Sequence, residues 1–177
     1  MASNRREKTR RKLIRAAFEV VAREGFDAAS VDAIASRAGY SIGALYSNFR
    51  GKDELFLAVF DEHISWFEQQ LDAAASADDR ARAVSDWMEQ SAHHPEQFLV
   101  FVEFWAYAIR KRKTRQQLAQ RLEEMRARVT EVVGDEQRAL VSLALVRGLA
   151  MEKLANGSAV PEELVTELAV EAVRSRA

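Results

Sequence analysis

Ser30, Ser41, Tyr46, Ser47, Asn48 and Lys52 bring hydrogen-bonding groups and one cation together in a short part of the chain. Their spacing suits recognition rather than bond making. Ser30 stands before Val31-Asp32-Ala33-Ile34-Ala35 and Ser41 before Ile42-Gly43-Ala44-Leu45, so each hydroxyl can accept from a free backbone N–H at a helix start. Gly39 lies between them and reads as a helix stop, because glycine takes the left-handed conformation most easily. Residues 38–49, AGYSIGALYSNF, contain no charged side chain. No nucleophile, base and oxyanion group can be assembled around them. The chain has no Cys, no Gly-x-Ser-x-Gly and no phosphate-binding loop, so neither an enzyme nor a cofactor is expected.

The elements that must position these groups read as helices throughout. Leu13, Ala16, Ala17, Val20 and Val21 recur with helical spacing in a helix from about Arg5 to Glu24, closed by Gly25. Two short helices follow Ser30 and Ser41, the second running to about Phe49, and a longer one covers 52–75. Further helices are expected over 79–91, 95–111, 115–133, 136–155 and 161–175, with Thr114, Gly134-Asp135, Asn156-Gly157 and Pro161 as punctuation. No period-2 run survives as a strand. The expected class is all-α, with about nine helices.

Ile34, Ala35 and Ala38 can face Leu45 and Phe49 across the Gly39-Tyr40-Ser41 turn, while Val20, Val21 and Phe26 close a three-helix core. This is the pattern of a helix-turn-helix. The face left outside comprises Ile42, Gly43, Ala44, Tyr46, Ser47 and Asn48, and in such a motif that face enters the DNA major groove.

The charge distribution agrees. Residues 1–52 carry 11 Lys/Arg against 5 Asp/Glu, whereas residues 53–177 carry 15 against 22, within a net charge of −1. A basic first part suits a polyanion, and the acidic remainder does not. The expected domains are therefore 1–52 for DNA and 53–177 for other work. With 177 residues, 48% of them apolar and no Cys, the chain can build a sizeable core without disulfides or thiolate metal sites. There is no apolar run near 18 residues and Met1–Lys12 is polar, so a cytoplasmic protein without a membrane partner is expected. His93 and His94 with Glu96 are adjacent loop residues poorly disposed to converge on a metal.

Residues 9–55, TRRKLIRAAFEVVAREGFDAASVDAIASRAGYSIGALYSNFRGKDEL, resemble the N-terminal domain of the TetR family of bacterial transcriptional regulators. The resemblance rests on Ala16-Ala17, Gly25-Phe26, Ser30-Val31, Ile34-Ala35, Ala38-Gly39 and Leu45-Tyr46-x-x-Phe49-x-x-Lys52-x-x-Leu55. It implies phosphate contacts from Tyr46 and Lys52, with Ser30 in a corresponding place at the start of its helix. It also implies base-edge contacts from Ile42, Gly43, Ala44, Ser47 and Asn48, beginning after Ser41. Arg5, Arg6, Arg10 and Arg11 could add a basic arm. Many relatives have Lys or Arg where this chain has Ile42 and Thr where it has Ala44, so bidentate reading of guanine from this helix is missing.

The resemblance further implies a homodimer on a palindromic double-stranded DNA operator, released as a repressor by a small-molecule effector. An activator or corepressor-dependent regulator is the alternative, and an all-α small-molecule-binding protein with an unused head a more distant one. Leu140, Ala144, Leu145, Gly148 and Leu149 on one late helix, with Leu164, Leu168 and Ala172 on the next, could pair with a second copy or pack on their own core. The segment FLVFVEFWAYAI, 98–109, is apolar nearly all round and expected to be enclosed. Phe101, Phe104, Trp105 and Tyr107, with Trp66, Phe67 and Trp87, either line a cavity for an apolar or aromatic effector or form an ordinary aromatic core.

Overall fold

A computed structural model describes residues 2–76, 79, 82–83, 86, 95–157, 160–161, 164 and 167. Among them seven helices are delineated: α1 (Ala2–Glu24), α2 (Val31–Ala38), α3 (Ile42–Tyr46), α4 (Lys52–Ala73), α5 (Pro95–Ile109), α6 (Arg112–Val133) and α7 (Glu136–Ala155). The all-α class holds among the described residues, with seven helices in place of about nine. The two expected over 79–91 and 161–175 fall mostly outside the described residues. None of the helices is long and apolar enough to cross a membrane.

Local chemistry sets the helix ends. Ser30 Oγ accepts from Ala33 N–H at 3.1 Å and Ser41 Oγ from Ala44 N–H at 3.2 Å, as their positions before each apolar run predict. Asp135 caps α7 the same way, accepting from Arg138 N–H at 2.8 Å. At the other end of α2, Gly39 sits at φ 74°. Its N–H reaches Ser36 C=O at 3.0 Å, and Tyr40 N–H reaches Ala35 C=O at 2.9 Å. These two bonds close the helix as a Schellman turn and need the left-handed residue that glycine supplies.

Three expected boundaries shift. The third helix ends at Tyr46 rather than near Phe49, although Phe49 N–H still bonds Leu45 C=O at 2.9 Å. Ser47 and Asn48 side chains take the Ala44 carbonyl there, which converts the last turn into a tight corner. Second, α6 begins at Arg112, so Thr114 lies inside its first turn instead of marking a break. Thr114 is buried and donates to Asp53 at 2.6 Å, a tertiary bond that outweighs its modest helix propensity. Third, α1 starts at Ala2, so the expected basic arm is helical from its first turn.

The chain packs as two compact units, one formed by Met1–Glu62 with Leu99–Leu118, the other by His63–Phe98 with Ala119–Ala177. In the first, Leu13, Ala17, Val20, Ile34, Leu45, Phe49 and Leu55 are buried, as the helical spacing requires. Phe26 lies at the centre of an aromatic group, its ring centroid 4.8 Å from Phe56, 5.8 Å from Phe104 and 4.5 Å from Tyr107. In the second unit, Phe67, Leu71, Met125, Val129, Ala139, Leu143 and Val146 are buried.

The segment 98–109 is less enclosed than its composition suggests. Val100, Phe101, Phe104 and Ala108 are buried, but Leu99, Ala106 and Ile109 form an exposed stripe on the opposite side. Apolar composition all round therefore does not require contact all round.

Candidate nucleic-acid interface

Helices α2 and α3 form the expected helix-turn-helix, packed in the same unit with α1 against α2 and α2 against α3. Leu45 and Phe49 point inward and are buried, which fixes the rotation of α3. Most other residues of α3 consequently face out. Ile42 is 39% and Tyr46 54% exposed, Gly43 is exposed and Ala44 half-buried. Beyond Ser41 Oγ at 3.8 Å, nothing stands near the place where a Gly43 side chain would project. Another molecule can approach the backbone closely at that point.

The polar groups of this face are partly engaged within the chain. Ser47 Oγ donates to Ala44 C=O at 2.8 Å, and Asn48 Nδ2 donates to the same carbonyl at 2.8 Å. Asn48 Oδ1 is buried without a hydrogen-bond partner, so the amide points into the corner rather than away from it. Ser30 and Ser41 hydroxyls accept from backbone donors but keep their own O–H available. Tyr46 is the largest exposed side chain of this face.

Cations frame the corner from α1. Arg6 Nη2 donates to Ser47 C=O at 3.3 Å, and the Arg10 guanidinium lies 4.5 Å from the Phe49 ring centroid. One turn apart on the same helix face, the two hold the end of α3, where carbonyls favour positive charge. Arg11 pairs with Glu7 at 3.1 Å. Of the four candidate arm residues, Arg6 and Arg10 thus support the recognition surface from behind; sequence reading treated them only as contacts to DNA.

Lys52 opens α4 and is half-buried. Its ammonium donates to Phe26 C=O and lies 4.1 Å from the centroid of the Phe26 ring. Burial lowers its pKa, opposed by the nearby Asp27 and Asp53 carboxylates. The group is therefore anchored to its own chain. An ammonium has three donors, however, and one bond to Phe26 leaves others for a further anion. Neighbouring Asp53 accepts from Tyr107 Oη and Thr114 Oγ1, both at 2.6 Å. Burial would raise its pKa, but the Thr114 and Tyr107 hydrogen bonds with Lys111 and Lys52 outweigh that and hold it below the usual carboxylate value.

The residues expected to meet an effector divide between packing and surface. Phe101 and Phe104 are buried in the first unit, and the Phe101 ring lies 5.8 Å from Phe60. Tyr107 is committed to Asp53, and Trp105 is half-buried. In the second unit Phe67 is fully buried, whereas Trp66 is exposed along a groove of about 420 Å³ with Gln70, Ala73, Ala74, Asp79, Arg82 and Asp86. Trp87 lies outside the described residues.

On α7, the residues expected at a dimer interface also separate. Leu140, Ala144 and Gly148 are exposed and share a stripe with Val141, 65% exposed, and Met151. Leu145 is half-buried, while Leu149 packs against Val160 of its own chain. Leu164 is exposed; Leu168 and Ala172 lie outside the described residues.

Residues 13–59 match the family model described as bacterial regulatory proteins, tetR family. Over 96 residues the chain is 36% identical to the HTH-type transcriptional activator FasR of Mycolicibacterium smegmatis, covering 52% of this chain and 44% of that protein. The chain thus spans less than half the length of this curated relative. A transcriptional regulator from Rhodococcus sp. Rha1 aligns over 93% of each chain at 25% identity, with a TM-score of 0.73. A TetR transcription regulator from Haloarcula marismortui shares the fold with a TM-score of 0.78 at 16% identity, covering 94% of this chain and 97% of that one. Residues 13–59 are thus similar in sequence to the bacterial regulatory proteins of the tetR family, and the chain is similar in fold to solved transcriptional regulators.

Proposed function

We propose that the protein is a dimeric, effector-responsive transcriptional repressor that binds a palindromic DNA operator through α3. The observation that carries this is the charge-free outer face of α3, held outward by buried Leu45 and Phe49 in a chain of regulator fold. Ile42 and Ala44 meet thymine methyls, and Gly43 lets the backbone approach the base edges. Tyr46 grips a phosphate, and Lys52 another with the donors that Phe26 leaves over. Ser30 and Ser41 add hydroxyl contacts. Ser47 and Asn48 reach bases only by releasing the Ala44 carbonyl, so their contribution is conditional on a rearrangement at the corner.

Two heads reading successive major grooves stand about 34–36 Å apart in the simplest arrangement. The α7 stripe of Leu140, Val141, Ala144, Gly148 and Met151 supports pairing, since a lone chain would leave these apolar groups in water. The effector reading is supported by the Trp66 groove, whose indole and alanines suit a flat apolar or aromatic molecule. Such a ligand represses or releases only if it prefers one conformation of the dimer. Activation is the second reading, favoured by the name of the FasR relative.

Selection from random duplex DNA tests the proposal. A two-fold symmetric motif bound by a dimer is the expected result, and absence of any enriched sequence would overturn it. Position of the recovered motif relative to a promoter separates repressor from activator.

A further inference from the structure

Phe26 follows the end of α1 and is held from three directions by other elements of its unit. Its N–H donates to the Glu103 carboxylate on α5, and its C=O accepts from the Lys52 ammonium on α4. Its ring lies against Phe56 of α4 and against Phe104 and Tyr107 of α5. Glu103 is the single charged residue between Phe98 and Ile109, and a half-buried carboxylate on an aromatic helix needs a strong partner. Gly25 supplies the left-handed backbone that turns the chain toward Glu103. It sits at φ 82°, and a side chain there would begin 3.5 Å from Glu103 Oε2. One turn further along α5, Tyr107 binds Asp53, the residue after Lys52. Helix α5 is therefore bonded both to the residue whose carbonyl Lys52 holds and to the first turn of α4.

From this geometry we infer that Glu103 is a positioning residue for the Lys52 phosphate contact, and that α5 reaches the DNA-binding surface through the backbone of Phe26. The inference rests on the DNA-binding function proposed above and adds a route by which it is regulated. With Glu103 on the N–H, the Phe26 carbonyl faces Lys52 and the ammonium is fixed before DNA arrives, with less side-chain freedom to lose on binding. When α5 moves, Glu103 leaves the N–H, the backbone of Phe26 is free to rotate about its Cα, and Lys52 loses the acceptor that holds it at the head. Arg6 and Arg10 brace α3 independently of this link, so the recognition face itself persists.

The test uses the intact protein and a duplex recovered by selection from random DNA. Lys52→Ala should lower the slope of log affinity against log salt by about one, the value for one phosphate contact. Glu103→Met keeps the size and removes the acceptor; it should lower the slope by the same amount, while Glu103→Gln, which keeps a carbonyl for Phe26 N–H, restores it. The double variant Glu103→Met with Lys52→Ala should have the slope of Lys52→Ala alone. Amide exchange at Phe26 should be at least about tenfold faster in Glu103→Met, and slower in the wild-type protein once the duplex is bound. A Glu103→Met slope equal to wild type, additive losses in the double variant, or Phe26 exchange indifferent to DNA would each overturn the inference. The wild-type exchange measurement decides it even if Glu103→Met folds poorly. Absence of salt-dependent binding by the wild type would instead refute the DNA-binding function itself.

Discussion

Helices α3 and α5 are both poor in charge, and they use that property in opposite ways. The outer face of α3 is small, with Gly43 and Ala44 between exposed Ile42 and Tyr46, while only Leu45 of its five residues is buried. Helix α5 is large and aromatic; its Phe101 and Phe104 are buried and its Tyr107 is bonded to Asp53. Absence of charge therefore carries two meanings. Where bulky rings accompany it, the surface is satisfied within the chain. Where small residues accompany it on a well-capped short helix, the surface stays exposed and open to close approach.

Substitutions can break this contrast, and the largest effect is expected inside. Phe104→Ala should destabilise the fold by roughly 3–5 kcal/mol, because a fully buried ring leaves a cavity among Phe26, Phe56 and Tyr107. Urea unfolding measures it. A loss near that of a surface change would mean that α5 is not packed as described. Next, Gly39→Ala forces a side chain into the left-handed region at φ 74° and should lose about 1–2 kcal/mol, with nothing within 4 Å to clash. Ser41→Ala removes the cap of α3 and should lose about 1 kcal/mol. Both act on the frame that presents α3, so operator affinity should fall together with stability.

Two finer changes sharpen the comparison. Tyr107→Phe deletes one donor to Asp53, whose folded-state pKa lies below its unfolded value. The stability that Asp53 contributes is complete above the ordinary carboxylate pKa and is lost as pH falls through the lowered one. Removing the Tyr107 hydroxyl should raise the folded pKa and make the loss of stability below about pH 4 shallower, seen as a smaller acid shift of the unfolding midpoint. Tyr46→Phe should leave stability within about 0.5 kcal/mol, as suits an exposed group. If the hydroxyl grips a phosphate, operator binding should weaken by about 1 kcal/mol with the salt slope unchanged, because a neutral donor releases no counterion. Unchanged operator affinity would leave Tyr46 as an apolar contact only.

The helix-turn-helix was legible because its signals are local. Ser30 and Ser41 cap, Gly39 stops, and Ile34, Leu45 and Phe49 mark the inner face, all within the reach of one or two turns. Periodicity grouped Leu140, Ala144 and Gly148 with Leu145 and Leu149 without saying which face the solvent; the structure leaves the first three exposed and packs Leu149 on Val160. Other roles were hidden because their partners lie far along the chain. Nothing around Lys52 announces that Phe26 holds it, and nothing around Thr114 announces Asp53, 61 residues away. Glu103 looked like an isolated charge on an apolar helix; its partner is a backbone N–H, which every residue but proline possesses and no pattern can single out. Periodicity and caps thus determined the class, the head and its outward face. Which charges stay free at the surface and which are held within the chain was decided by tertiary structure, because a side chain's partner is set by proximity in space.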